Sequence, residues 1–199
     1  MSNTTHLPTI TRARTFKDYP LFYSNKGLYE SALTTMDKVF DQALTQYQRT
    51  LAMRLDLYLP KDHQDTDLSI LNDYFDILKE KIDADSLPYV WRKRADKTPS
   101  HNYRVMLFLD DSQYFGPAIC WDKGNQLVDH LKTAWKEAIE KHYKGKERSI
   151  ILFNNRGNDG LGTRCKSKDT NIKRCVFHRL SSFAEAWKEE RYCFGSSLD

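Results

Sequence analysis

The sequence predicts an α+β fold, an antiparallel sheet with flanking helices, and three observations carry that prediction. From residue 51 the apolar side chains fall at Leu51, Met53, Leu55, Leu57 and Leu59, with Ala52, Arg54, Asp56 and Tyr58 between them. A period of two is a strand with one buried face and one mixed face. Residues 102–109 repeat the pattern, with Tyr103, Val105, Leu107 and Leu109 on one side and Asn102, Arg104, Met106 and Phe108 on the other. Three longer stretches, 28–48, 68–82 and 123–143, instead space their apolar residues at helical intervals.

Taken in order, residues 1–20 are polar, carry Pro8 and Pro20, and read as an arm in which Arg12, Arg14 and Lys17 could touch a phosphate backbone. The helix at 28–48 follows, striped by Leu28, Ala32, Met36, Val39, Phe40, Ala43, Leu44 and Tyr47. The strand at 51–59 ends at Pro60, which lacks the donor a central strand needs. Asp67 is placed to cap the second helix, 68–82, whose buried stripe is Leu68, Leu71, Phe75, Leu78 and Ile82. YVWRKRAD, a turn holding Pro99, and HNYRVMLFLDD then read as an antiparallel hairpin. The third helix, 123–143, buries Leu127, Leu131, Trp135 and Ile139, and SIILF at 149–153 is a short strand.

Residues 154–171 are polar and hold three of the eight glycines. Without GxxxxGK spacing they read as a hairpin tip or surface loop rather than a phosphate-cradling loop. Residues 173–178 read as a strand, 181–191 as the last helix, and YCFGSSLD as a tail.

The 199 residues suit one domain with an appended helical arm, divided here as 1–48 for arm and first helix and 49–199 for the α+β domain. Apolar residues at 40% and aromatic residues at 13% are enough for a core. A net charge of +4 permits nucleic-acid binding without demanding it. Cys120, Cys165, Cys175 and Cys193 form no CxxC pair, so neither a zinc site nor a disulfide framework is expected. The opening MSNTTHLPTITRARTF has no apolar run of a signal peptide, and no stretch reaches membrane-spanning length. The expectation is a reduced, cytoplasmic protein with no membrane partner.

The order β, α, β-hairpin, α, β, loop, β, α resembles the HUH-type replication-initiator domain. More closely, the chain resembles the inovirus gene-two protein family of replication proteins, which includes the prophage proteins YagK and YfjJ. The matching pieces are LAMRLDLYLP, YVWRKRAD, HNYRVMLFLDD, the third helix with Ala134 and Trp135, FHRLSSFA and the final FGSS. The resemblance implies an HUH/Rep-like, RRM-like core behind the N-terminal helical arm. It also implies a metal-binding HYH triad at the opening of the third strand and a tyrosine nucleophile near the start of the last helix. The matching positions here are Asn102, Tyr103 and Arg104 for the triad and Phe183 for the tyrosine, in SSFAEAWK where SYLAK is usual. His101 is one residue out of register, which turns a strand side chain to the opposite face.

The substitutions change the chemistry that the resemblance implies. A tyrosine nucleophile breaks a DNA phosphodiester and holds the 5′ phosphate covalently, and Phe183 has no oxygen to attack with. Paired imidazoles hold a metal that polarises phosphoryl oxygens, whereas an arginine at 104 is a permanent cation with no acceptor. Its planar fork still matches phosphate oxygens. The degenerate pocket is therefore expected from Asp56, Asn102, Arg104 and Phe183, with anion affinity kept and cleavage lost.

Arg49, Arg54, Arg92, Lys93, Arg94, Lys97 and Arg104 fall on or beside the strands, and with Tyr89 and Trp91 nearby they favour backbone contacts and base stacking. The leading expectation is a DNA-binding protein acting in replication or transcriptional control, without a cofactor, with single-stranded or hairpin DNA preferred over plain duplex. One alternative is an active nickase using Tyr192, with Mg²⁺ or Mn²⁺ held by His101, Asp56 and His178. Another is a protein-interaction module that blocks a replication or phage protein through Tyr114, Phe115 and Trp121.

Overall fold

Ten residues of the first alternating segment, Arg49–Tyr58, form the strand on which the sheet is assembled. The computed structural model describes residues 9–60, 68–94, 102–113, 126–144, 150–153, 162–186 and 194–199. Four two-residue strands come first, β1 (Ile10–Thr11), β2 (Thr15–Phe16), β3 (Tyr19–Pro20) and β4 (Leu28–Tyr29), followed by α1 (Glu30–Gln46). The central strand is β5, then come α2 (Ser69–Lys81), β6 (Tyr89–Arg94), β7 (Asn102–Asp110) and α3 (Gln126–His142). The chain closes with β8 (Ile150–Phe153), β9 (Thr163–Lys166), α4 (Thr170–Ser181), a 3-10 turn at Ser182–Ala184, and β10 (Phe194–Ser196).

The main sheet runs β10-β6-β7-β5-β8, with β9 sharing the outer edge of β5 with β8, and every pairing is antiparallel. The α+β architecture and the β6–β7 hairpin follow the sequence pattern. Alternation sorts the sheet's side chains onto two faces. Leu51, Met53, Leu55 and Leu57 join Trp91, Tyr103, Val105 and Leu107 under α2 and α3. There Trp135 is fully buried, meets Tyr74 edge-on at 5.5 Å, and donates its indole N–H to the Tyr58 carbonyl at 3.3 Å. The other face sends Ala52, Val90, Met106 and Phe108 into a second core with α1 and α4.

The structure corrects several local expectations. Residues 173–178 are not a strand but the middle of α4. Ile172, Val176 and Leu180 recur every four residues toward the core, and the Asp169 side chain caps the helix by accepting from the Ile172 amide at 3.1 Å. Of the expected last helix at 181–191, the described part is Ser181 at the end of α4 and the 3-10 turn, after which Glu185 bridges to Leu28. Part of the polar loop forms β9, and the expected tail supplies β10. Gly195 permits that pairing, because a Cβ there would come within 2.7 Å of three atoms of the Trp91 indole. At α2 the capping position belongs to Leu68, in left-handed backbone and without a side-chain cap bond, while Asp67 lies outside the described residues.

The stretch read as an arm is tied to the second core through Phe16, Tyr19, Leu21 and Phe22. Phe16 and Tyr19 stack on Phe177 of α4, at 6.1 Å and 4.4 Å between ring centroids. Gly27 takes a positive φ of 81° at the turn into β4. α1, grouped with the arm by sequence, contributes Leu33, Met36, Val39, Phe40 and Ala43 to the second core.

Candidate nucleic-acid interface

Pairing registers set the site before any side chain is considered. Asp56 of β5 lies opposite Arg104 of β7, which lies opposite Arg92 of β6, which lies opposite Phe194 of β10. The next rung toward the Tyr58 end joins Tyr58, Asn102 and Arg94. Even-numbered residues of β5 and β7 share one face, so Arg54, Asp56, Asn102 and Arg104 stand together and Tyr103 turns away into the core under α2 and α3. α1 and α4 cover the half of this face built from Ala52, Met106 and Phe108, and the charged residues occupy the other half.

Asp56 lies at the bottom of the charged half. Its side chain is 9% exposed, against 18% for Arg104 and 26% for Arg54, so the guanidinium groups reach solvent above a buried carboxylate. Arg104 Nε is 3.4 Å from Asp56 Oδ1, and Arg54 Nη2 is 3.7 Å from Oδ2. Charge-assisted hydrogen bonds close to about 2.7–2.9 Å, so both contacts are long. Arg92 is buried rather than on an exposed face, and its Nη1 donates to the carbonyls of Ser182 at 3.4 Å and Phe183 at 3.3 Å. It holds the turn after α4 against the sheet. Phe183 is itself fully buried, just past the end of α4 rather than near the start of a helix.

Other sequence-derived candidates fall elsewhere. Tyr89 stacks on Phe75 at 3.6 Å, and Trp91 meets Tyr103 edge-on at 5.9 Å in the α2/α3 core, so neither presents a free ring to a base. His178 is exposed on α4 and meets Phe22 edge-on, with ring centroids 6.3 Å apart. His101, Lys97, Tyr192, Tyr114, Phe115, Trp121 and the side chain of Arg94 lie outside the described residues. Burial pushes up Asp41 and Tyr19, and lifts the Cys165 thiol to about 11.

The donor set does not fit a divalent ion. Where the resemblance places two imidazoles, Asn102 offers a neutral amide and Arg104 a cation that repels a metal. Asp56, the remaining oxygen donor of the row, already has Arg54 and Arg104 beside it. Among the described residues no group of three or more His, Cys, Asp and Glu side chains could hold a metal ion. What the row can do is receive an anion, because a phosphate oxygen and the Asp56 carboxylate ask the same geometry of a guanidinium.

Sequence reasoning missed a second arginine–aspartate cluster. Asp111, fully buried at the end of β7, has Arg49 Nη2 at 2.7 Å and Arg164 Nε at 2.7 Å. It ties the start of β5 and the strand β9 to β7. Nothing local in the sequence marks it, because Arg164 lies in the stretch that reads as loop.

Among the described residues no helix is long and apolar enough to cross a membrane. The sequence pattern of the YagK/YfjJ C-terminal domain matches residues 11–197. No curated protein and no solved structure matches the chain.

Proposed function

The chain belongs to the YagK/YfjJ C-terminal domain family, and from that premise we propose that it is a DNA-binding protein of prophage or mobile-element origin. In this reading it is a replication-initiator-like protein of the inovirus gene-two and HUH kind that has lost cleavage and kept a phosphate site, acting in replication or transcriptional control in the cytoplasm. The supporting observation is the buried Asp56 with two arginines at 3.4 Å and 3.7 Å. Asp56 holds Arg104 and Arg54 in place without DNA, and a backbone phosphate competes for the same forks. Arg104 supplies the positive charge that a metal supplies in an active relative. Phe183 cannot attack phosphorus, and its carbonyl instead anchors Arg92.

The test is a titration of labelled single-stranded, hairpin and duplex DNA with the full chain at increasing salt. Binding strongest to the single strand or hairpin, with affinity falling steeply with salt, is the expected result. No binding to any of the three at low salt would overturn the proposal. A covalent protein–DNA band formed with Mg²⁺ or Mn²⁺ and lost in Tyr192→Phe would replace it with a working nickase.

A further inference from the structure

A second basic surface lies on the outer side of α4. Asn171, Arg174, Cys175 and His178 fall along one exposed stripe of the helix. Lys166 at the end of β9 and Lys168 in the turn before α4 are exposed beside its first turn. No carboxylate of the described residues forms an ion pair with Lys166, Lys168 or Arg174. Asp169, the one acidic residue between 162 and 184, caps the helix by accepting from the Ile172 amide.

At the other end of α4 the stripe meets the N-terminal segment. The Phe22 amide donates to Ser181 Oγ at 2.8 Å, and the Phe22 ring lies edge-on to His178. The next residue, Tyr23, is 64% exposed, and among the described residues it is the one large aromatic side chain left open to solvent. Arg14 places its guanidinium carbon 4.2 Å from the centroid of that ring. One face of Tyr23 is thus covered by a cation, which leaves the other face for a planar partner. Arg12 is exposed on the same segment.

Exposed cations before and on a helix that leads to a cation-backed aromatic ring match a strand whose bases are unpaired: phosphates meet the cations and a base stacks on the ring. We propose that the outer face of α4, together with Tyr23 and Arg14, is a second contact surface for single-stranded DNA, separate from the arginine row on the sheet. The inference rests on the DNA-binding reading above and adds where the bases are held. α4 spans about 18 Å at 1.5 Å per residue, room for several nucleotides between Lys166 and Tyr23. Ser182 and Phe183, just past the end of the same helix, give their carbonyls to Arg92, the residue opposite Arg104 in the sheet register.

The experiment is fluorescence anisotropy of a labelled oligothymidylate against the full chain and its Tyr23→Ala, Tyr23→Phe, Arg174→Ala and Arg104→Ala variants, with thermal melts to confirm folding. Tyr23→Ala should weaken binding roughly tenfold, as loss of one stacked base does, and Tyr23→Phe should bind as the parent does. Arg174→Ala should lower the salt slope by about one phosphate contact. Saturating oligothymidylate should also slow alkylation of Cys175, followed by peptide mass. If Tyr23→Ala and Arg174→Ala bind as the parent does while Arg104→Ala is weakened, this surface is refuted and the sheet site stands. If the pattern is reversed, the surface stands and the sheet site falls, and a parent chain that binds no DNA overturns both.

Discussion

Asp111 and Asp56 each sit beside two arginines on the same sheet, and the two clusters differ in closeness. Around Asp111 the nitrogen–oxygen distances are 2.7 Å and 2.7 Å, and around Asp56 they are 3.4 Å and 3.7 Å. Asp111 joins three strands: Arg49 stands at the start of β5, Arg164 on β9, and Asp111 itself just beyond β7. Its burial was offset by close pairing, as an interior carboxylate requires. Asp56 joins two central strands that backbone bonds already hold in register over nine residue pairs. The tight cluster is a clamp, and on the proposed reading the loose one lets the guanidinium groups exchange Asp56 for phosphate.

Breaking the clamp should have the largest effect. Asp111→Ala leaves two arginines facing a site built for a carboxylate and should cost about 3 kcal/mol, the low end for a broken buried pair because both arginines reach solvent. Urea unfolding measures it, and a loss no greater than that of Asp56→Ala would erase the distinction. Gly195→Ala comes next. The added methyl meets Trp91 on the neighbouring strand and should cost about 1–3 kcal/mol by overpacking, read as a lower melting temperature. An unchanged melt would mean that β10 does not press on Trp91 as described.

Asp56→Asn sharpens the comparison from the other side. It removes the competitor for Arg104 and Arg54 with little change of shape, and because both contacts are long, stability should fall by less than in Asp111→Ala. DNA affinity should rise, measured by anisotropy at fixed salt. A fall in affinity would mean that Asp56 orients the arginines for DNA instead of holding them back.

The smallest effect concerns acid. A hydrogen bond from His142, with Lys141 nearby, holds the Asp73 carboxyl below its ordinary value of 3.8. A depressed folded pKa contributes stability that is full above the unfolded value and is lost as pH falls through the folded one. Asp73→Asn should therefore flatten the acid limb of the stability curve below the ordinary carboxylate range, by well under about 1 kcal/mol at this exposed pair. The clamp at Asp111 should be unaffected by that substitution.

The sheet's centre was legible in the sequence because period two over β5 and β7 has one physical meaning, and α1, α2 and α3 showed long helical stripes. The C-terminal third was harder. In KRCVFH a valine and a phenylalanine side by side suggest a strand, but the four-residue spacing of Ile172, Val176 and Leu180 behind the Asp169 cap decided for helix. β9 and β10 are short edge strands whose partners lie far away in sequence, so no local pattern announces them. Of the candidate site, the shared face of Arg54, Asp56, Asn102 and Arg104 follows from strand parity alone. The burial of Arg92 does not, because it depends on where the turn at Ser182–Ala184 packs.

The most direct test of the central claim is the salt dependence of DNA binding by Arg104→Ala. Arg104 has 18% side-chain exposure and lies 3.4 Å from Asp56, so a thermal melt of the variant accompanies the titration to confirm that it folds. Affinity for single-stranded DNA should fall at every sequence, and the slope of log affinity against log salt should shrink by about 0.7, the value of one phosphate contact on a single strand. A folded Arg104→Ala protein with unchanged affinity and unchanged slope would contradict the account.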